Sequence, residues 1–302
     1  MRLLHVTDTH LGVDRWFRGA PRGWRRGDDH LAAFRAALAP AFRGEVDGVV
    51  HTGDLFDRSR PPARAVAEAI ALLAEVARQV PVALMPGNHD RQGLRAHLAG
   101  GGLPGVAIVD RAARVRIAGA WLALVPYLPD PAAWGAAASD VCGEGVDLLL
   151  AHQAFDGARV PGFAFRVGSP ADTIGEAHLP PGVRHILCGH IHTRQALALG
   201  AAVVVHPGST ERTAFLERAE TKGSAVWELG AEPTWRFVDG PARPMHVVEH
   251  PDALALVSAE ELVTLKGAAR HVEVEQAALA RGAWVAPLPA PTPQMTLFAP
   301  RR

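Results

Sequence analysis

Three short apolar runs open the chain, at residues 3–7 (LLHVT), 46–51 (VDGVVH) and 80–85 (VPVALM), and each is followed or separated by apolar residues at helical spacing. Leu31, Phe34, Leu38 and Phe42 fall on one face of the first helical stretch. The second is expected over residues 61–79, with Pro61 and Pro62 suited to its first turn. The order is βαβαβ, which predicts a mostly parallel sheet in the opening half.

Further strands are expected at residues 113–117, 121–126, 146–151, 183–188 and 202–206, with a closing hairpin-like pair at 224–229 and 234–238. So much strand with flanking helices predicts an α/β (α+β) fold in which two packed sheets are covered by helices outside. The 302 residues, 48% hydrophobic, suffice for one large domain plus a small appendage. The domain is placed at residues 1–239 and the appendage at 240–286. Residues 287–302, with proline at every second position from Pro287 to Pro293, read as an extended tail. Within the appendage, Ser258 and Glu261 have capping-box spacing and predict a short helix over 258–266. Residues 271–275 (HVEVE) alternate like a strand.

Formal net charge is zero, so a polyanion-binding surface would have to be local. Two cysteines, Cys142 and Cys188, lack metal-site spacing and suit a reducing cytosol. No run approaches the roughly 20 apolar residues of a membrane span, and the first residues read as a strand and not as a signal peptide. The expectation from these features is a cytoplasmic protein.

The informative pattern is polar. Asp8 and His10 follow the first strand, Asp54 the second, Asn88 and His89 the third, His152 a later one, and His190 and His192 the next. In an open α/β sheet the carboxyl ends of strands converge on one crevice. Asp8, His10, Asp54, Asn88, His152, His190 and His192 form an oxygen and nitrogen set without thiolate, suited to Mn²⁺, Fe²⁺, Zn²⁺ or Mg²⁺. Seven donors exceed one tetrahedral site and suit two ions sharing a carboxylate, an arrangement that supports phosphoester hydrolysis. Singly, each segment would read as a helix cap, a hydrogen-bonded loop or a core histidine. Jointly, five such strand ends favour a dinuclear centre.

The segments DTHLG, GDLFD, GNHD, AHQ and GHIH resemble, in order, the signature blocks of calcineurin-like metallophosphoesterases. Within that superfamily HVTDTHLG, GDLFDRSRPP, PGNHD and HPGST are most similar to the SbcD-type DNA repair nucleases, over residues 1–239. The resemblance implies a four-layer αββα fold and a Mn²⁺-dependent centre. One ion would be held by Asp8, His10, Asp54 and His192, and the other by Asp54, Asn88, His152 and His190, with Asp54 bridging. It also implies that His89 faces the leaving group as proton donor or transition-state stabiliser, while Asp90 is the structural member, capping the following helix or orienting His89. The expected function is a DNA exonuclease or endonuclease of repair. The rivals are a phosphodiesterase or phosphatase of nucleotides or small phosphoesters, and a non-enzymatic, clamp-tethered DNA-binding module. The nuclease branch continues into a larger cap and a segment binding an SbcC-type ATPase. Here RPMHVVE resembles only the cap's entry, which puts that partner in doubt; a homodimer is a further expectation.

Residues 14–30 (DRWFRGAPRGWRRGDDH) carry Arg15, Trp16, Arg18, Arg22, Trp24, Arg25 and Arg26 beside the first ligands. Arginines interleaved with aromatics suit phosphate contacts and base stacking, so these residues, with Arg58, Arg60, Arg91 and Arg194, are the expected DNA surface. The competing reading is a solvated loop whose aromatics pack inward. The terminal QMTLF resembles a sliding-clamp peptide with Gln294, Leu297 and Phe298 as contacts on a mobile tether.

Overall fold

The computed structural model describes residues 1–160 and 172–287. The chain begins β1 (Arg2–Val6), α1 (Arg26–Ala37), α2 (Ala39–Phe42), β2 (Gly48–Thr52), α3 (Ala63–Ala77), β3 (Val82–Met85), α4 (Leu94–Ala99) and β4 (Val106–Ile108). It continues with β5 (Ala113–Ile117), β6 (Ala120–Val125), α5 (Pro131–Val141), β7 (Leu148–His152), β8 (Ala154–Phe155) and β9 (Thr173–Ile174). Then follow β10 (His185–Gly189), β11 (Gln195–Leu199), β12 (Ala202–His206), β13 (Gly223–Glu228) and β14 (Thr234–Asp239).

Two six-stranded sheets result, ordered β14-β13-β1-β2-β3-β4 and β11-β12-β10-β7-β6-β5. In the first, β1, β2, β3 and β4 are parallel; in the second, β6, β7, β10 and β12 are parallel. Alternation along each strand decides the layering. In β1, Leu4 and Val6 face the helices while Leu3 faces the other sheet; Val49 and Val50 divide in the same way. Leu3, Val50, Ala83 and Met85 pack against Leu122, Leu124, Leu150, Leu187 and Val205 to form the core between sheets. Phe34, Leu72, Leu73 and Leu98 cover the outer face of the first sheet, and Trp134 and Ala138 of α5 cover that of the second. The architecture is therefore the expected αββα sandwich. Cys188 is a buried core residue on β10.

After β14 the chain adds β15 (Met245–Val248), β16 (Leu262–Leu265), α6 (Val272–Ala280) and β17 (Trp284–Val285), with the three strands parallel. Two local expectations are corrected here. Residues 258–266 do not form a helix. Glu261 Oε2 does accept from the Ser258 amide at 2.7 Å, half of a capping box, but it also accepts from His246 Nε2 at 2.9 Å on β15. The apolar, partly β-branched Leu262–Leu265 then fills the central strand position. Conversely, residues 271–275 open helix α6: the strand-like alternation is brief, and the following QAALA favours helix, burying Val274 and Ala278 one turn apart.

This small unit has its own apolar cluster around Val248, Val263, Leu265 and Val285. It meets the main sandwich through Phe17, Trp24, Phe215 and Trp284. Arg243 fastens the junction. Its guanidinium donates to both oxygens of Asp29 at 2.7–2.8 Å and lies 4.2 Å from the Trp284 ring centroid. The expected tail contacts Gln294, Leu297 and Phe298 lie outside the described residues. Among the described residues no helix is long and apolar enough to cross a membrane.

Candidate metal centre

The parallel strands of both sheets end at the same edge, and their loops bring together the donors named from sequence. Backbone bonds zip the loop after β1 onto the loop after β2: Asp8 N to Gly53 O at 3.1 Å, His10 N to Asp54 O at 3.0 Å and Leu11 N to Leu55 O at 2.8 Å. Holding side chains inward from these turns requires unusual backbone. Asp8, His10, Asp54 and His190 have φ of 50°, 46°, 54° and 75°, the left-handed region that non-glycine residues avoid at roughly 1–3 kcal/mol each. Strain of this kind at four candidate ligands is the mark of side chains fixed for a task. Close packing adds a second constraint. A Cβ at Gly87 would overlap the Asp54 carboxylate and lie 2.6 Å from the His152 ring, so only glycine permits this approach.

The donors fall into two groups around Asp54. On one side His10 Nε2 stands 3.1 Å from His192 Nε2 and 3.8 Å from Asp54 Oδ2, while His192 Nε2 is 3.8 Å from Asp8 Oδ1. On the other, His152 Nε2 is 3.4 Å from Asp54 Oδ2 and 3.0 Å from Asn88 Oδ1, which lies 2.8 Å from His190 Nδ1. Donor atoms of Asp8, His10 and His192, and of Asp8, Asp54 and His152, lie within 4.8 Å of one another, as do those of His10, Asp54 and His89.

Hydrogen bonding tests whether cations fit. His152 Nδ1 is 2.7 Å from the Thr52 carbonyl, which can only accept, so Nδ1 carries the proton. In neutral His152 the Nε2 lone pair then faces Asp54 and Asn88 oxygens, acceptor against acceptor. Something positive must lie between them, and a divalent ion fits that need. The protonation of the metal-free site tells the same story. Burial disfavours charge on His152, yet the Asp54 and Asp8 carboxylates outweigh it and push its pKa up to about 9. Burial also opposes the Asp54 charge, but the charged His152 beside it holds its carboxyl well below the usual range. His10 is kept neutral by burial, against the pull of Asp54, and His190 falls to about 3 through burial and the nearby His152.

His89 and Asn88 are exposed at the rim, whereas Asp8, His10, Asp54 and His152 are buried. The His89 amide donates to Asp54 Oδ1 at 2.9 Å, and its Nδ1 donates to the Asp57 carbonyl at 2.7 Å. Its Nε2 has no hydrogen-bond partner among the described residues. Asp90 is buried and accepts from Gly87 N at 2.8 Å and Phe56 N at 3.1 Å, tying the β3 loop to the β2 loop. It supports the turn itself, in place of capping the following helix.

The expected DNA residues are only partly available. Arg26 is corrected: it is 3% exposed, paired with Asp29 at 2.5 Å and Glu211 at 3.0 Å, and serves as an internal charge. Trp24 packs on Trp284 at 4.6 Å between ring centroids, and Phe17 is buried beside it, so these aromatics join the sandwich to the C-terminal unit. Arg18 bonds Glu275, Arg25 bonds Asp14, and Arg194 bonds Asp239, each as a salt bridge. Arg15 reaches the Thr213 carbonyl and Arg58 the Asp57 carboxylate. Arg15, Trp16, Arg18, Arg22, Arg25, Arg58, Arg60 and Arg91 are exposed.

Several residues at the site gave no motif signal. Tyr127 stands with its ring 5.7 Å from that of His190 and 6.4 Å from that of His152. His30 and His51, outside the signature motifs, are buried with His5 and His206, the first residues of HVTDTHLG and HPGST, whose own roles those motifs did not reveal. A dipeptide signature does not reveal such residues, since each is fixed by a tertiary neighbour.

The family model of calcineurin-like phosphoesterases matches residues 1–194. The chain belongs to that family. It is 26% identical over 279 residues to the DNA double-strand break repair protein Mre11 of Aeropyrum pernix, covering 82% of this chain and 63% of that protein. The Mre11 of Methanosarcina mazei is 26% identical over 329 residues, covering 94% of this chain and 49% of that protein. This phosphoesterase thus spans about half to two thirds of the length of these relatives. A solved structure described as GAP50, the anchor in the inner membrane complex of Plasmodium, superposes with a TM-score of 0.49 at 14% identity, covering 79% of this chain and 84% of that one.

Proposed function

We propose that this phosphoesterase is a two-metal DNA nuclease of repair, with Mn²⁺ as its working ion. The observation that carries the reading is the convergence of Asp8, His10, Asp54, Asn88, His152, His190 and His192 around one shared carboxylate, with His89 open at the rim. The Mre11 relatives, alignable over most of the chain, favour DNA over small phosphoesters as the substrate.

In this reading Asp8, His10, Asp54 and His192 hold one ion, and Asp54, Asn88, His152 and His190 the other. Two such ions, when bound, neutralise the phosphate and lower the pKa of a shared water. The chain's own residues supply the rest. Asn88 is a neutral donor, so it leaves net positive charge on the centre for the phosphate. His89, with Nδ1 bonded to the Asp57 carbonyl, offers Nε2 to the leaving oxygen, and must carry its second proton to act as donor. Arg58, Arg60 and Arg91, exposed and close in sequence to Asp57 and His89, and Arg15, Arg22 and Trp16 on the 14–30 loop, are the proposed contacts to the strand. Residues 240–286 act as a reduced cap.

The test uses purified protein with Mn²⁺ on end-labelled linear single- and double-stranded DNA, beside bis-p-nitrophenyl phosphate. Degradation of DNA abolished by chelation is expected. Hydrolysis of the small diester with no cleavage of any DNA would reject the nuclease and leave a small-molecule phosphodiesterase.

A further inference from the structure

His192 differs from the other candidate ligands in what holds it. His152 is oriented by a backbone carbonyl, whereas His192 Nδ1 lies 2.9 Å from Glu217 Oε1. Glu217 is almost fully buried and is itself fixed from two sides. Thr213 Oγ1 donates to Oε1 at 2.5 Å and Lys222 Nζ approaches Oε2 at 2.6 Å. Lys222, buried as deeply, also donates to the His192 carbonyl at 3.0 Å and to Ser209 Oγ at 2.8 Å. The ion pair therefore grips His192 at both ends, ring and backbone.

A buried carboxylate, lysine-paired, can only accept from the ring. It fixes the proton on Nδ1 and leaves the Nε2 lone pair aimed at Asp8 and His10. Carboxylate bonding also makes an imidazole a stronger donor to a metal than bonding to a neutral group does. We infer that Glu217, held by Lys222, is a positioning residue that sets the tautomer and donor strength of His192 and so the affinity of one of the two metal sites. A purely structural ion pair would stabilise the loop after β12 without selecting either metal. The inference rests on the metal-site reading alone, and is independent of which phosphoester is cleaved.

Two measurements test it. The first is Mn²⁺ titration calorimetry on the whole chain, with near-ultraviolet circular dichroism to establish that each variant is folded. Wild type is expected to bind two ions, and Glu217→Gln, which keeps an acceptor but loses the charge, to bind one of them about 10–100-fold more weakly with the other unchanged. Glu217→Asp should fall between. Equal weakening of both sites, or a change under twofold at either, would overturn the inference. Wild type binding no ion would overturn the metal-site reading with it. The second needs no charge-altering variant: nitrogen chemical shifts of selectively labelled histidine in the Zn²⁺-loaded protein, with His192 assigned by His192→Gln. A proton on Nδ1 is expected, and a proton on Nε2 would refute the proposal even if Glu217→Gln failed to fold.

Discussion

Lowering the pH below about 6.5 should begin to destabilise the metal-free protein before carboxylates normally titrate. His30, His51 and His206 are buried, with none of the three rings solvated, and His190 lies at the rim of the centre; burial holds each near pKa 3 in the folded chain. Arg26 adds to the effect at His30, and His152 at His51 and His190. In the unfolded chain all four return to about 6.5. A depressed folded pKa means that the neutral ring is what folding favours. That contribution is intact above pH 6.5 and is lost as pH falls from 6.5 toward 3, because only the unfolded chain gains the protons. Asp90 opposes this. Burial and the Asp54 charge raise its pKa to about 7, so it binds its proton in the folded state first and stabilises on acidification. Four histidine protons less one on Asp90 give a net three from these groups alone, or about 4 kcal/mol lost per pH unit between pH 5.5 and 4.5; His5 and His10, which burial also holds well below the usual value, add to the loss, and Asp8, raised by burial, offsets part of it.

A loss of that size is comparable with the whole stability of an ordinary domain, roughly 5–15 kcal/mol. The assay is urea unfolding in EDTA at half-unit steps of pH, followed by the fluorescence of buried Trp134 and Trp227. His206→Gln provides the internal control. It removes one titrating ring and should reduce the slope by about 1.4 kcal/mol per pH unit. Stability that varies by less than about 1 kcal/mol across the window, or a slope unchanged in His206→Gln, would refute the attribution to buried neutral rings.

Three further outcomes are expected. His89→Ala should keep both ions by calorimetry while cleavage falls about 10²–10⁴-fold; loss of an ion along with activity would show that His89 is a ligand. Gly87→Ala should prevent Mn²⁺ binding, since the added methyl would occupy the space of the Asp54 carboxylate, and undiminished affinity would mean the β3 loop yields freely. Arg243→Ala leaves Asp29 buried with Arg26 as its remaining partner and should cost about 2–3 kcal/mol in urea unfolding, with earlier proteolysis between β14 and β15; unchanged stability would show the junction to be held by Trp24 and Trp284 alone.

The layers of the sandwich were legible because burial is written at short range. A run such as VALM or LLLA has few ways to be buried, and the alternation of Leu3 against Leu4 already assigns two faces. The convergence of donors was legible for a related reason: strand ends of a parallel sheet share an edge, so sequence position alone locates Asp8, Asp54 and His152 near one another. What stayed hidden depends on neighbours remote in sequence. The helix expected at 258–266 and the strand expected at 271–275 exchanged types because β16 is chosen by β15 and β17 beside it, and α6 by the cluster it covers.

The 14–30 loop teaches the sharper lesson about charge. Arginine beside tryptophan is the composition of a nucleic-acid surface and equally of a buried ionic junction, and local sequence does not separate them. The separating quantity is the supply of acidic partners within reach. Asp29 and Glu211 take Arg26, Asp29 takes Arg243, and the indoles of Trp24 and Trp284 close over Arg243. Removing a guanidinium from water is tolerable only with such compensation. In the proposed nuclease the arginines available to a phosphate backbone are those whose charges face water, and Arg60 and Arg91 are the sharpest choices because they flank the loops carrying Asp57 and His89.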